Sequence, residues 1–149
     1  MELEKEIKQK TFKNEYQKMI VNIMFTHGWM NSLLSNRLKK YGISPQQFNI
    51  LRILRGQYPE PARVNLLKDR MLDKMSNASR LVEKLRIKGL VDRHICENDR
   101  RAVDVVITQE GLDVLKKIDE LEKEWEKQFY TLSPDEVNEL NKLLDMLRG

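Results

Sequence analysis

The chain of 149 residues is 40% hydrophobic and 34% charged, a composition typical of one soluble helical domain and not of a disordered or fibrous chain. Its net charge of +4 divides unevenly: residues 1–62 carry +5, residues 63–101 carry +5 and residues 102–149 carry −6, which favours an anionic partner, with solvated helix faces as the alternative. The longest apolar cluster, residues 19–25, is too short for a membrane span, so no membrane partner is expected.

The first two predicted elements are helices. Apolar residues recur at helical spacing over residues 12–41, which predicts one long helix that can bend at Gly28. Residues 44–47 (SPQQ) then supply an N-cap, a proline at the first helical position and a capping-box glutamine. A second helix should therefore run through Leu54 and end at Gly56.

A loop and two further helices are predicted next. The segment QYPEPAR, residues 57–63, excludes helix because its two prolines lie close together, and a short helix follows near residues 65–71. The next helix ends at Gly89, which suits a left-handed C-terminal cap. Its apolar face carries Ala78, Leu81, Val82 and Leu85. Its opposite face carries Ser76, Asn77, Arg80, Glu83, Lys84 and Ile87.

One short charged turn interrupts the helices. The stretches LVDRHI (residues 90–95) and AVDVVI (residues 102–107) show strand-type alternation or β-branched residues around the polar turn CENDRR, which predicts a β-hairpin. An isolated two-stranded ribbon is marginally stable and adds little core. We therefore expect a surface task for this hairpin.

Two helices complete the chain. Thr108 can cap the first, whose apolar stripe keeps near-heptad spacing: Leu112, Leu115, Ile118, Leu121, Trp125 and Phe129. Residues 133–136 (SPDE) repeat the cap, proline and acidic pattern for the second. That last helix carries the stripe Val137, Leu140, Leu144 and Leu147.

This order of elements predicts a mainly α protein with one small β-hairpin wing, a winged helix-turn-helix flanked by long terminal helices. In such proteins the second helix of the motif enters the major groove of double-stranded DNA, and the hairpin can reach the neighbouring minor groove. A DNA operator is therefore the expected partner.

Two stretches resemble a known family. Residues 76–93 (SNASRLVEKLRIKGLVDR) are similar to the recognition helix and following strand of MarR-type transcription regulators. Residues 99–111 (DRRAVDVVITQEG) are similar to the Asp-x-Arg wing of that family followed by Thr-x-x-Gly. The likeness runs over about residues 12–149, although the turn between the motif helices usually carries a glycine where this chain has Leu72-Asp73-Lys74.

The resemblance implies one MarR-like domain over residues 1–149 that forms a homodimer. Its winged lobe would span about residues 44–108. The helices within about residues 1–41 and 109–149 would interleave with those of a second subunit, and their long apolar stripes agree with this arrangement because they exceed what one small lobe covers.

The predicted DNA contacts lie at the start of one helix and in the wing. Short polar side chains at a helix start can reach base edges or phosphates, and an arginine can bind guanine through two hydrogen bonds. The helix candidates are Ser76, Asn77, Ser79, Arg80 and Lys84. In the wing, Asp99 is expected to orient the guanidinium of Arg101 toward a narrow minor groove, while Arg100 meets phosphate. The alternatives are helix capping with a solvated face, and an exposed ion pair.

The resemblance also implies a cleft for a small aromatic or phenolic effector. A mixed apolar and basic lining suits an organic anion. The candidate residues are His27, Trp29, Met30, Phe48 and Arg52. Packing in the core or at the dimer interface is the alternative for these five side chains.

No cofactor or metal is expected. His27 and His94 lack companions at metal-ligand spacing, and one cysteine does not complete a zinc site. That cysteine, Cys96, lies beside the wing, whereas redox-sensing relatives carry theirs near the start of the first helix, so we expect an inert thiol. A lone cysteine also fits a reducing cytoplasm.

The sequence therefore predicts a cytoplasmic DNA-binding regulator, a homodimeric repressor of a pseudo-palindromic operator that a small molecule can release. No catalytic residue is assigned and no enzyme is predicted, because the sequence has no nucleophile elbow, phosphate-binding glycine loop or paired catalytic carboxylates. The alternative is a winged-helix protein-interaction module whose basic face contacts an acidic partner and no DNA.

Overall fold

The protein is mainly helical with one small sheet, as predicted. Its computed structural model describes residues 1–149 apart from the side chain of Arg100. The helices are α1 (Leu3–Glu6), α2 (Glu15–Leu38), α3 (Pro45–Gln57), α4 (Val64–Arg70), α5 (Ala78–Ile87), α6 (Gln109–Glu126) and α7 (Pro134–Arg148). The strands are β1 (Ala62–Arg63), β2 (Val91–Cys96) and β3 (Asp99–Ile107). Short 3-10 helices, Lys39–Tyr41 and Lys127–Phe129, extend α2 and α6.

Side-chain caps set where the predicted helices begin. The Ser44 hydroxyl accepts a hydrogen bond from the Gln47 N–H at 3.1 Å, and the Gln47 side chain accepts one from the Ser44 N–H at 3.0 Å, which confirms the capping box of α3. Ser133 and Glu136 form the same reciprocal pair at the start of α7. These bonds satisfy N–H groups that have no partner inside the helix.

Two helix ends differ from the sequence prediction. Helix α2 begins after Asn14, whose side chain accepts the Gln17 N–H at 2.9 Å, so the helix starts three residues later than expected and continues through Gly28. Helix α3 does not end at Gly56 but includes it. A glycine inside a helix costs only about 1 kcal/mol relative to alanine, which is too little to end it. The short helix α1 and the strand β1 were not predicted.

The hairpin is confirmed, and it belongs to a three-stranded antiparallel sheet. Strands β2 and β3 pair with Val91 opposite Ile107, and residues 97–98 form the turn. On the other edge of β3, Ala62 of β1 lies opposite Val105. All four of these paired residues are buried, so the expectation that the hairpin adds little core is wrong at its base.

The hydrophobic core lies in the winged lobe and under the first turns of α6. Helices α3, α4 and α5 and the base of the sheet enclose it, and Leu115 and Ile118 of α6 close one side. By contrast, Leu38 is the only residue of α2 that is buried, and among the described side chains α7 has none. The terminal helices therefore contribute little to the core of this chain.

One junction joins α5, the sheet and α6. Gly89 closes α5 with a φ of +75°, a left-handed conformation that favours glycine. The Thr108 hydroxyl donates to the Gly89 carbonyl at 2.7 Å and accepts the Gly111 N–H at 3.1 Å, which caps α6 as predicted. A Cβ on Gly111 would overlap the Leu90 carbonyl oxygen, so the three segments meet in direct contact.

Candidate nucleic-acid interface

Helix α5 has one buried face and one solvent face. Ala78, Val82 and Leu85 are buried in the core. The solvent face displays exposed Ser79, Arg80 and Lys84. Because the apolar face is held in the core, the direction in which the face with these polar residues points is set with it.

The start of α5 is held by side-chain and turn hydrogen bonds. The Asn77 side-chain oxygen accepts the Arg80 N–H at 3.1 Å, so this atom acts as a cap and the amide NH₂ is the part of Asn77 available to a ligand. Ser76 is half-buried, and its N–H donates to the Asp73 carbonyl at 3.2 Å. Asn77 therefore caps the helix through its side-chain oxygen, while its side-chain nitrogen is not used by the cap.

Some of the positively charged side chains on this surface form ion pairs with an acidic residue, and others do not. Glu83 pairs with Arg86 of the same helix at 2.7 Å and with Arg93 of β2 at 3.2 Å. The hydrogen bond from Arg86 lowers the pKa of Glu83 below its ordinary value. Arg80 and Lys84, in contrast, make no ion pair with any side chain that the structure describes. Their charge is available to an external anion.

The wing turn is held by Asp99. Its carboxylate accepts the backbone N–H of Arg101 at 3.0 Å, an Asx turn that fixes the main chain. Among the described contacts, the Asp99 carboxylate makes this backbone hydrogen bond and no ion pair with the Arg101 guanidinium. The Arg101 side chain is exposed. Arg100, the predicted phosphate contact, lies outside the described side chains.

Cys96 ends β2 beside this turn. Its Sγ donates to the Asp104 carboxylate at 3.0 Å. That hydrogen bond, together with burial, raises the pKa of the thiol above its ordinary value. The thiol is thereby held in the protonated form, which is the poorer nucleophile.

Part of the predicted effector lining comes together in the structure. Phe48 is buried in the core, and the Arg52 guanidinium lies 5.6 Å from the centre of its ring. Trp29 packs edge-on against Phe129 with ring centres 6.0 Å apart, and it lines a hollow of about 160 Å³ beside Met1. The remaining two candidates are exposed on α2: His27 and Met30.

A larger open cleft, missed by the sequence analysis, lies between the start of α3 and α5. It has a volume of about 510 Å³, and its lining is Gly42, Ser44, Gln47, Leu81, Lys84, Ile87 and Lys88. The Lys88 ammonium donates to the Gly42 carbonyl and to the Gln47 side chain. Lys84 lines this cleft and also belongs to the exposed face of α5.

The described side chains include no cluster of three or more His, Cys, Asp or Glu residues that could hold a metal ion. None of the described helices is both long and apolar enough to cross a membrane.

Helices α3, α4 and α5 packed with a small antiparallel sheet, with an exposed basic face on α5, define a winged-helix protein. A model of the MarR family matches residues 41–102. The crystal structure of a MarR transcription factor from Planctomyces limnophilus is 30% identical, with a TM-score of 0.69 over 91% of this chain and 99% of that chain. The chain belongs to the MarR family of transcription regulators.

Two further proteins are similar. A mutant MarR of Escherichia coli, solved in complex with operator DNA, shares the fold at a TM-score of 0.78 and 24% identity over 93% of this chain and 99% of that chain. The transcriptional repressor MprA of Escherichia coli K12 is 27% identical over 106 residues, 69% of this chain. That match spans 60% of the length of MprA, less than two thirds of the relative.

Proposed function

We propose that the protein is a homodimeric transcription repressor that binds a pseudo-palindromic double-stranded DNA operator. The observation that carries the proposal is the solvent face of α5, where Arg80 and Lys84 lack an acidic partner among the described side chains. Family membership supports it, as do the name of the repressor MprA and the operator-bound form of the Escherichia coli MarR structure.

In this proposal α5 enters the major groove with its capped end leading. Arg80 binds a guanine edge and Lys84 a phosphate, while Ser76, Asn77 and Ser79 contact bases or phosphates near the helix start. The wing places Arg101 in the minor groove, Asp99 positions it through the backbone, and Arg100 contacts phosphate.

The dimer is proposed from apolar faces that this chain leaves uncovered. On α2 the exposed apolar residues recur at helical spacing: Tyr16, Ile20, Ile23 and Met24. On α7 they are Val137, Leu140, Leu143, Met146 and Leu147. Exposed apolar faces of this length are typical of protein interfaces. A two-fold dimer would place its two α5 helices about one DNA turn apart, so operator half-sites should lie about 10 bp from centre to centre.

Release by a small aromatic or phenolic effector is the remaining part of the proposal. The candidate contacts are the side chains predicted from the sequence: His27, Trp29, Met30, Phe48 and Arg52. An anionic effector suits Arg52, whose guanidinium already pairs with Glu122 at 3.3 Å and can exchange that carboxylate for the anionic group of the effector.

The test is selection of bound fragments from a random DNA pool, followed by titration of the selected duplex at several salt concentrations. We expect an inverted repeat and a steep fall in affinity with salt, because each neutralised phosphate releases counterions. Arg80→Ala should weaken binding by about 1–3 kcal/mol and relax the preference at one position of each half-site.

Lys123→Ala is the matched control, since Lys123 is an exposed cation in the last turn of α6. It should leave affinity and salt dependence nearly unchanged. A pool that yields no enriched sequence, or equal losses for Arg80→Ala and Lys123→Ala, would favour the protein-interaction module instead.

A further inference from the structure

Two large apolar side chains project from the turn between α4 and α5. Leu72 is 88% exposed and Met75 is 93% exposed. Burial of such side chains stabilises a fold, so a turn that displays both gives up that stabilisation. In the described part of the chain, no other residue packs over either side chain.

This turn is held in place by four hydrogen bonds. The Leu72 N–H donates to the Asn49 side chain of α3 at 2.9 Å. The Asp73 carboxylate accepts the Met75 N–H at 3.0 Å, and its carbonyl accepts the Ser76 N–H at 3.2 Å. The Lys74 ammonium donates to the Asp69 carbonyl. The backbone is therefore fixed, and it presents the two apolar side chains at a defined place beside α5.

That place adjoins the proposed DNA contacts. Met75 lies two residues before Asn77, the cap of α5, and five before Arg80. An apolar side chain gains nothing from a phosphate. In the major groove, however, the C5-methyl group of thymine is an apolar group on a base edge, and apolar side chains recognise it.

We propose that Met75, together with Leu72 of the same turn, contacts thymine methyl groups, so that the protein prefers thymine at one or two positions of each operator half-site. The inference rests on the proposed function. An unbranched methionine suits this task because its flexible thioether adapts to the irregular groove wall. Two side chains are also far too small an area for a stable protein interface, which needs about 1,200 Å² in total, so DNA is the favoured occupant.

The test removes the methyl groups one at a time. Each thymine of the selected operator is replaced by deoxyuridine, which differs only by lacking that methyl group, and affinity is measured by fluorescence anisotropy. The wild-type protein should bind about fourfold more weakly at the contacted positions, the value of about 0.8 kcal/mol for one buried methylene-sized group. Met75→Ala should bind thymine DNA more weakly but lose nothing further on uracil DNA.

Two variants control the measurement. Met75→Leu keeps an apolar side chain of similar volume and should retain the sensitivity to the methyl group. Ile95→Ala removes an exposed apolar side chain of β2 and should retain it fully. Circular dichroism should show unchanged folding for all three variants, because these side chains are exposed.

Failure of this inference is distinguishable from failure of the proposed function. If the protein selects an operator but no uracil substitution changes its affinity, or Met75→Ala keeps the full loss, the methyl contact is wrong and DNA binding stands. If no sequence is selected at all, both fall.

Discussion

Helices α5 and α7 are both amphipathic and both begin after a polar capping residue, yet only α5 buries its apolar face within the chain. Helix α5 buries Ala78, Val82 and Leu85 in the core. Helix α7 buries nothing among its described side chains, and Leu140 and Leu147 remain exposed. The same sequence pattern thus predicts that a face will be covered, but not what covers it.

The difference separates two kinds of surface. Because the apolar face of α5 is satisfied within the chain, its polar face is what the protein offers to a partner, and that face is basic. Because the apolar face of α7 is not covered within the chain, that face remains available to a partner. Arg55 and Arg52 of α3 pair with Asp119 and Glu122 of α6, which ties the acidic part of the chain to the basic lobe.

The largest expected effect is on the buried side of α5. Leu85→Ala should lower the free energy of unfolding by about 2–5 kcal/mol, because it leaves a cavity in a closed core. Ile87→Ala, on the same helix but 71% exposed, is the matched control and should change it by less than about 0.5 kcal/mol. Urea denaturation measures both. Equal effects of the two changes would mean that α5 is not anchored as described.

The next effect concerns α7. Leu140→Ala or Leu147→Ala should weaken the proposed dimer by up to about 1.5–3 kcal/mol per side chain covered in the assembly, while the fold of each subunit persists. Sedimentation equilibrium measures the dissociation constant, and Lys142→Ala on the same helix serves as control. A monomeric wild-type protein would contradict the proposal that a second subunit covers the apolar face of α7.

The smallest effect lies in the two caps. Asn77→Ala and Ser133→Ala should each cost about 0.5–2 kcal/mol of stability. The stability contributions of these two caps should respond differently to acid. Hydrogen bonds from the Ser133 N–H and hydroxyl lower the pKa of Glu136, so the contribution of its carboxylate is complete above the ordinary glutamate pKa and is lost as the pH falls through the lowered value.

Thermal unfolding from about pH 7 to about pH 3 tests this difference. Glu136→Gln keeps the capping hydrogen bonds without a titrating group, so the advantage of the wild type over this variant should disappear in acid. The advantage of the wild type over Asn77→Ala should stay constant, because an amide does not titrate. A constant Glu136→Gln difference would show that the carboxylate's charge contributes nothing to α7.

Short-range signals explain why so much of the fold could be predicted. The caps at Ser44, Thr108 and Ser133 and the left-handed closure at Gly89 each depend on a few neighbouring residues, and all four are present. Strand β1 escaped prediction because its two residues become a strand only by pairing with β3, some forty residues away. Local pattern contains no trace of that pairing.

The candidate site was predictable in its residue types more than in its contacts. The exposed positions of Arg80 and Lys84 follow from helical periodicity. The pairing of Glu83 with both Arg86 and Arg93, which decides where charge remains free, depends on β2 folding back beside α5. The position of the turn that displays Leu72 depends likewise on Asn49 of α3, which accepts the Leu72 N–H and which no spacing rule connects to the turn.

The junction of Gly89, Thr108 and Gly111 has a mechanical consequence. Helix α6 has 18 residues and is about 27 Å long, and at its base Gly111 lies directly against the Leu90 carbonyl oxygen and the Ile107 side chain, just beyond the end of α5. A sideways displacement of roughly 2 Å at its far end, near the Trp29–Phe129 contact, corresponds to a tilt of only about 4°. Because Leu115 and Ile118 of α6 are also packed in the core of the winged lobe, such a tilt would disturb the packing of the lobe that carries α5.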